Sequence, residues 1–89
     1  MNKNEIIERA LQECESLMKQ HPTCSPLEYV AVQLRYLKGL LAGEHSDKSR
    51  LKDINVGLIA VREFSTRFPD FTEQLFAVAK VVDDMRYGR

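Results

Sequence analysis

The sequence predicts an all-α fold, a four-helix up-and-down bundle in which the third helix is central. Four segments carry apolar residues at the three- and four-residue spacing that is typical of helices. The connections between these segments are short and contain proline or glycine, and no segment reads as a strand. Helices joined by short connections usually pack as antiparallel neighbours, which predicts the up-and-down order.

The first predicted helix has one apolar face. Asn2 or Asn4 can cap its N-terminus, and it must end near Gln20 because prolines follow closely. The apolar stripe consists of Ile7, Ala10, Leu11, Cys14, Leu17 and Met18. We therefore expect this helix to pack with that stripe inward.

The second predicted helix has a clear start and a clear end. Ser25 can cap it, Pro26 suits the first helical position, and Glu28 lies three residues after the cap. Its end is predicted at Ala42, with Gly43 in the left-handed conformation. One apolar seam consists of Leu27, Val30, Leu34, Leu37 and Leu41, and a second stripe on roughly the opposite side consists of Tyr29, Val32 and Tyr36.

The third predicted helix lies in the segment from Arg50 to Asp70, ends at about Thr66 and has apolar residues on more than one face. Its apolar positions are Leu51, Ile54, Val56, Leu58, Ile59, Ala60 and Val61. A surface helix needs only one apolar stripe, so we predict that this helix is central. Gly57 favours the same interpretation, since a glycine within a helix suits a close approach of another backbone.

The fourth predicted helix follows Pro69. Asp70 can cap it and Glu73 can complete a capping box, and we expect residues 86–89 to fray. Its apolar stripe consists of Phe71, Leu75, Val78, Val82 and Met85, widened by Phe76 and Ala79.

Composition and charge exclude several classes of partner. The 89 residues predict a single domain, 1–89, which buries only a modest core. Thirteen basic and thirteen acidic side chains cancel, so we expect no binding to nucleic acid or to an anionic membrane surface. No segment resembles a signal peptide or a membrane span, which predicts a soluble cytoplasmic protein.

The residues that usually carry chemistry are few. Cys14 lies on the apolar stripe and Cys24 in a loop, which favours reduced thiols, although a disulfide between them stays open. His21 and His45 lie in predicted loops without a nearby pair of ligands. We therefore predict no metal site, no cofactor and no enzymatic activity. A small enzyme or metal-dependent regulator that uses these four residues is the alternative.

The surface offers candidates for recognition. Tyrosine and arginine are enriched at protein interfaces, and charged residues interrupt the apolar run of the third helix. The predicted partner-binding residues are Tyr29, Arg35, Tyr36, Asp53, Arg62 and Glu63. Two other interpretations stay open: the second face of helix two is buried in the bundle, or the charges of helix three form an ordinary solvated edge.

Two stretches resemble a known family. They are QLRYLKGLLAG at 33–43 and DKSRLKDINVGLIAVREFSTRFPDFTEQLF at 47–76. The likeness is strongest over a G-x-x-A-x-R/K-E-F pattern that consists here of Gly57, Ala60, Arg62, Glu63 and Phe64, with Pro69 and Leu75 following. The pattern resembles small helical immunity proteins encoded beside type VI secretion toxins. It is similar, more narrowly, to those that neutralise NAD(P)-degrading effectors and their polymorphic-toxin relatives.

The resemblance implies a protein that binds the catalytic domain of a cognate toxin and blocks access of its nucleotide substrate. It implies no particular binding residue, because recognition surfaces in such families vary with their toxins. A helical adaptor or dimerisation module is the alternative function, and a homodimer is compatible with both.

Overall fold

The third helical region is the part of the fold in which the sequence-based expectation and the structure differ most. The computed structural model describes residues 2–88, and within that range it contains helices and turns but no strand. Its elements are α1 (Lys3–Gln20), α2 (Ser25–Leu41), a 3₁₀ turn (Leu51–Asp53), α3 (Val56–Ile59), a π-helical segment (Ala60–Phe64) that continues α3, and α4 (Pro69–Tyr87). The predicted all-α class with four helical regions is confirmed.

The core lies between α1, α2 and α4, with α3 added at one side. Helix α1 packs against both α2 and α4, and α3 with its π-helical continuation packs mainly against α4. Phe64, Phe71 and Leu75 are among the largest fully buried side chains. None of the helices within residues 2–88 is long and apolar enough to cross a membrane.

The ends of α1 and α2 confirm three predictions and correct one. The side chain of Asn2 accepts a hydrogen bond from the backbone N–H of Glu5 at 2.8 Å, which caps α1 as predicted. Gly43 adopts the left-handed conformation with φ of 77°, and the Glu44 N–H donates to the Gly39 carbonyl at 2.9 Å. Helix α1 also ends at Gln20. The predicted Ser25 cap is wrong, because Ser25 is already helical and no side chain caps α2.

The third helix is neither continuous nor central. Ile54 is extended (φ −70°, ψ 123°), and it separates the 3₁₀ turn from α3. Leu58 and Val61, predicted to be buried, are 55% and 54% exposed. The helix breaks because the backbone N–H of Asn55 donates to the side chain of Gln33 at 2.9 Å, instead of to a carbonyl one turn earlier.

Helix α4 differs from its prediction at both ends. It begins at Pro69, and no side chain caps it, so the predicted capping box of Asp70 and Glu73 does not form. Phe76, predicted to widen the apolar stripe, is 42% exposed. The helix continues through Tyr87, so the first two residues of the predicted fraying segment 86–89 are helical; Arg89 lies outside the described residues.

Candidate functional site

Five of the six predicted partner-binding residues lie on one face of the molecule. This face, called the α2–α3 face below, combines the outer side of α2 with the chain from the 3₁₀ turn to the π-helical segment. Its residues are Ser25, Pro26, Tyr29, Val32, Gln33, Tyr36, Arg50, Asp53, Ile54, Asn55, Leu58, Ile59, Arg62 and Glu63. The interpretation that buries the second face of α2 is wrong, since Tyr29 is 64% and Val32 59% exposed.

The first of two grooves on this face has an apolar floor and a charged rim. It has a volume of about 380 Å³ and is lined by Ser25, Pro26, Tyr29, Asn55, Leu58, Ile59, Arg62 and Glu63. The aromatic ring of Tyr29 comes from α2, whereas Leu58 and Ile59 come from α3. Arg62 and Glu63, both exposed, follow on the π-helical segment. An apolar centre with a polar rim is the usual anatomy of a protein interface.

The second groove is more polar and is held by the loop that follows α2. It also has a volume of about 380 Å³ and is lined by Val32, Gln33, Tyr36, Arg50, Asp53 and Ile54. The hydroxyl of Tyr36 donates to the carbonyl of Asp47, and its ring centre lies 5.1 Å from that of His45. Tyr36 is therefore half-buried and fixed, which leaves only part of its ring for a partner.

The two grooves meet at a pair of amide side chains. Gln33 donates through Nε2 to Oδ1 of Asn55 at 2.7 Å, and Oε1 of Gln33 accepts from the Asn55 N–H at 2.9 Å. The pair joins α2 to the start of α3 across 22 positions of sequence. It fixes the relative position of the two elements that form the face.

Buried contacts anchor α3 and the π-helical segment, which form one side of the α2–α3 face, to the core. In the π-helical segment Phe64 is completely buried, and its ring centre lies 5.7 Å from that of Phe68 and 5.5 Å from that of Phe71. A Cβ atom placed on Gly57 would lie 3.2 Å from the Cβ of Ala79 on α4, so the group that approaches this glycine is a side-chain methyl and not, as predicted, another backbone. These contacts turn Arg62 and Glu63 toward solvent.

Arg35 is the predicted site residue that lies elsewhere. Adjacent helical residues point about 100° apart, so Arg35 faces α1 while Tyr36 faces the second groove. Its guanidinium lies 3.5 Å from the carboxylate of Glu15, and both side chains are about half exposed. An exposed ion pair of this kind contributes less than about 1 kcal/mol.

The two cysteines and the two histidines contact other residues of the fold. Cys14 is buried, donates through Sγ to the Leu27 carbonyl at 3.3 Å, and burial raises the pKa of its thiol to about 11. Both Cys14 and Cys24 are free thiols. His21 packs against Phe68, and Nε2 of His45 donates to the Tyr36 carbonyl at 3.2 Å. Residues 2–88 contain no group of three side chains placed to hold a metal ion.

Sequence reasoning missed three residues of the α2–α3 face, and also the exposure of Val61 on the adjoining π-helical segment. Leu58 and Val61 carried the signal of a buried stripe, and periodicity cannot distinguish a core-facing stripe from one that faces a partner. Gln33 and Asn55 carried no pairing signal, because they lie 22 positions apart in sequence and their contact is not local. A weak indication was available in Asn55 itself, which is a poor former of helix interiors.

This chain matches a protein-family model and several solved structures. A family model described as Tsi6 matches residues 2–84. The structure of Tsi6 from Pseudomonas aeruginosa matches with a TM-score of 0.86 and 29% identity, over 92% of this chain and 85% of that chain. The structure of Tse6 in complex with Tsi6 matches with a TM-score of 0.92 and 28% identity, over 99% of this chain and 94% of that chain. A search of curated proteins found no match.

The helical fold and these matches define an immunity protein of the type VI secretion class, as the sequence resemblance predicted. The match of the family model extends over nearly the whole chain. The chain belongs to the Tsi6 family.

Proposed function

We propose that the α2–α3 face binds the catalytic domain of a cognate secreted toxin and keeps the toxin's nucleotide substrate out of its cleft. One observation supports this choice of face above all: exposed apolar side chains meet a charged rim there. Tyr29 and Leu58 supply contact area, and Arg62 supplies the kind of side chain that often dominates interface energies. The solved structure of Tse6 in complex with Tsi6 supports a toxin as the partner.

To block the toxin's cleft, this protein needs a contact surface that is large and rigid. No catalytic group of this chain takes part in the block. A stable interface covers about 800 Å² on each partner, which is about one seventh of the 5625 Å² that this protein exposes. The two grooves lie side by side and together extend along α2 from Ser25 to Tyr36. Preorganisation lowers the entropic cost of association, and the buried Phe64 and the Gln33–Asn55 pair supply it here.

The proposal assigns the protein to the cytoplasm of the cell that makes the toxin. There it would protect the cell from its own toxin and from that of sibling cells. The resemblance described above favours a toxin that acts on NAD(P) or on another nucleotide.

The test is inhibition of the toxin encoded beside the gene. The purified catalytic domain of that toxin is incubated with NAD⁺ or NADP⁺ while this protein is titrated in, and loss of nucleotide is measured. We expect activity to fall linearly and to end at one equivalent. We also expect a saturating, non-hydrolysable nucleotide analogue to weaken binding, since both occupy the same cleft. Full activity at several equivalents would refute the function, and binding that is indifferent to the analogue would refute occlusion.

A further inference from the structure

We infer that the Gln33–Asn55 pair presents a fixed hydrogen-bond donor to the toxin, and that it selects partners with a carbonyl or carboxylate oxygen at that point. This inference rests on the proposed function, because it assigns a role to two residues in the middle of the α2–α3 face. The shapes of the two grooves do not specify which chemical group of the toxin lies opposite this pair, whereas a fixed donor requires an oxygen acceptor there.

The orientation of both amides follows from one backbone group. The N–H of Asn55 can only donate, so the atom of Gln33 that lies 2.9 Å from it must be the oxygen Oε1. The other amide atom of Gln33 is then Nε2, a donor, and it lies 2.7 Å from the side chain of Asn55. That contact requires an oxygen on Asn55, so Oδ1 turns toward Gln33 and Nδ2 turns away from it. Amide assignments are often ambiguous, but the backbone donor removes the ambiguity here.

The outward group is available to a partner. Asn55 is exposed, and its Nδ2 makes no hydrogen bond to any residue in the range 2–88. Asn55 lines the first groove and Gln33 lines the second, so the pair lies where the two grooves meet. A toxin that fills both grooves would cover this NH₂ group and remove it from water.

A covered donor that finds no acceptor costs binding energy. Water satisfies Nδ2 in the free protein, and an unpaired polar group in a dry interface loses that partner. A toxin with an oxygen opposite Nδ2 keeps the hydrogen bond, whereas a toxin with an apolar or donor group there binds about 10- to 100-fold more weakly. The amide pair therefore adds directional specificity to a face whose grooves recognise mainly shape.

Two substitutions replace the outward donor by an acceptor and keep a hydrogen bond between the two side chains. Asn55→Asp retains Oδ1 as the acceptor for Gln33 and leaves the backbone N–H unchanged, and it replaces the NH₂ group by an oxygen. Gln33→Glu retains the acceptor for the N–H but supplies no donor, so the Asn55 amide must turn and present its oxygen outward. Both variants should keep the thermal midpoint of the free protein, and each should raise the dissociation constant for the toxin's catalytic domain by about 10- to 100-fold.

The measurement is isothermal titration at 0.5 M NaCl, where long-range effects of the added charge are screened. Asn4→Asp is the matched control, because it makes the same replacement at an exposed position of α1 and should leave the dissociation constant unchanged. If Asn55→Asp and Gln33→Glu both bind within about twofold of the unsubstituted protein while Arg62→Glu binds weakly, the donor inference is overturned and the proposed face stands. If Arg62→Glu also binds normally, the face itself is wrong and the inference fails with it.

Discussion

Replacing Phe64 by alanine should destabilise the protein more than any exposed aromatic substitution. The side chain is fully buried and contacts the rings of Phe68 and Phe71. Truncating a buried phenylalanine costs about 3–5 kcal/mol. A domain of 89 residues has a total stability of about 4–13 kcal/mol at ordinary values per residue. The Phe64→Ala protein should therefore lose a large share of its free energy of unfolding.

Phe76→Ala is the matched control, since it removes the same atoms from a side chain that is 42% exposed. Its burial is worth about 1–2 kcal/mol. Urea denaturation followed by circular dichroism measures both losses, and an unchanged slope with urea verifies that both variants unfold in the same way. If Phe64→Ala costs less than about 1.5 kcal/mol, or no more than Phe76→Ala, then the π-helical segment is not anchored as described.

Three further predictions concern the backbone and the thiols. Gly43→Ala should lower the free energy of unfolding in urea by about 1–2 kcal/mol, because φ is 77° there and a Cβ is strained in that region. Gly88 is also left-handed but follows the exposed last turn of α4, so Gly88→Ala should cost less. Equal losses for the two variants would contradict this prediction. Alkylation of the folded protein should modify Cys24 first, since the pKa of Cys14 is raised to about 11 by burial. The same shift gives a pH dependence of stability. The buried thiol holds its proton more tightly than the unfolded chain does, so its contribution is complete below about pH 9 and is lost as pH rises toward 11. Unfolding curves at a series of pH values measure this loss of stability, and the Cys14→Ala protein should lose less stability between about pH 9 and 11 than the unsubstituted protein. The same pH dependence in both proteins would refute the prediction.

Three of the four helices could be predicted because their signals are local. In α1, α2 and α4 the apolar stripe and the terminating proline or glycine all lie within the helix or next to it. The third helix could not be predicted in the same way, since its break depends on Gln33, which lies 22 residues before Asn55. Asp53, Asn55 and Gly57 are weak helix formers within five positions, and their combined propensity opposes a continuous helix.

The composition of the candidate site could be predicted better than its arrangement. Tyr29 and Arg62 belong to residue types that are typical of interfaces, and the structure places both of them, with Glu63, around one groove. Arg35 and Tyr36 are neighbours in sequence, but the helical rotation between them places Arg35 beside Glu15 of α1, away from the grooves. The exposure of Leu58 depends on how α3 rests on α4, and a hydrophobic pattern does not contain that information.

The central claim is that the toxin binds the α2–α3 face. The groove between α1 and α4, which includes Arg9 and Glu73, lies away from that face and provides matched charge reversals. The decisive measurement is the dissociation constant of the toxin complex for Arg62→Glu compared with Arg9→Glu, and for Glu63→Lys compared with Glu73→Lys. Reversal of a charge at an interface should weaken binding at least about tenfold, so we predict that loss for Arg62→Glu and Glu63→Lys and a change below about twofold for the two controls. Equal affinities within both pairs, or a loss confined to Arg9→Glu and Glu73→Lys, would contradict the claim.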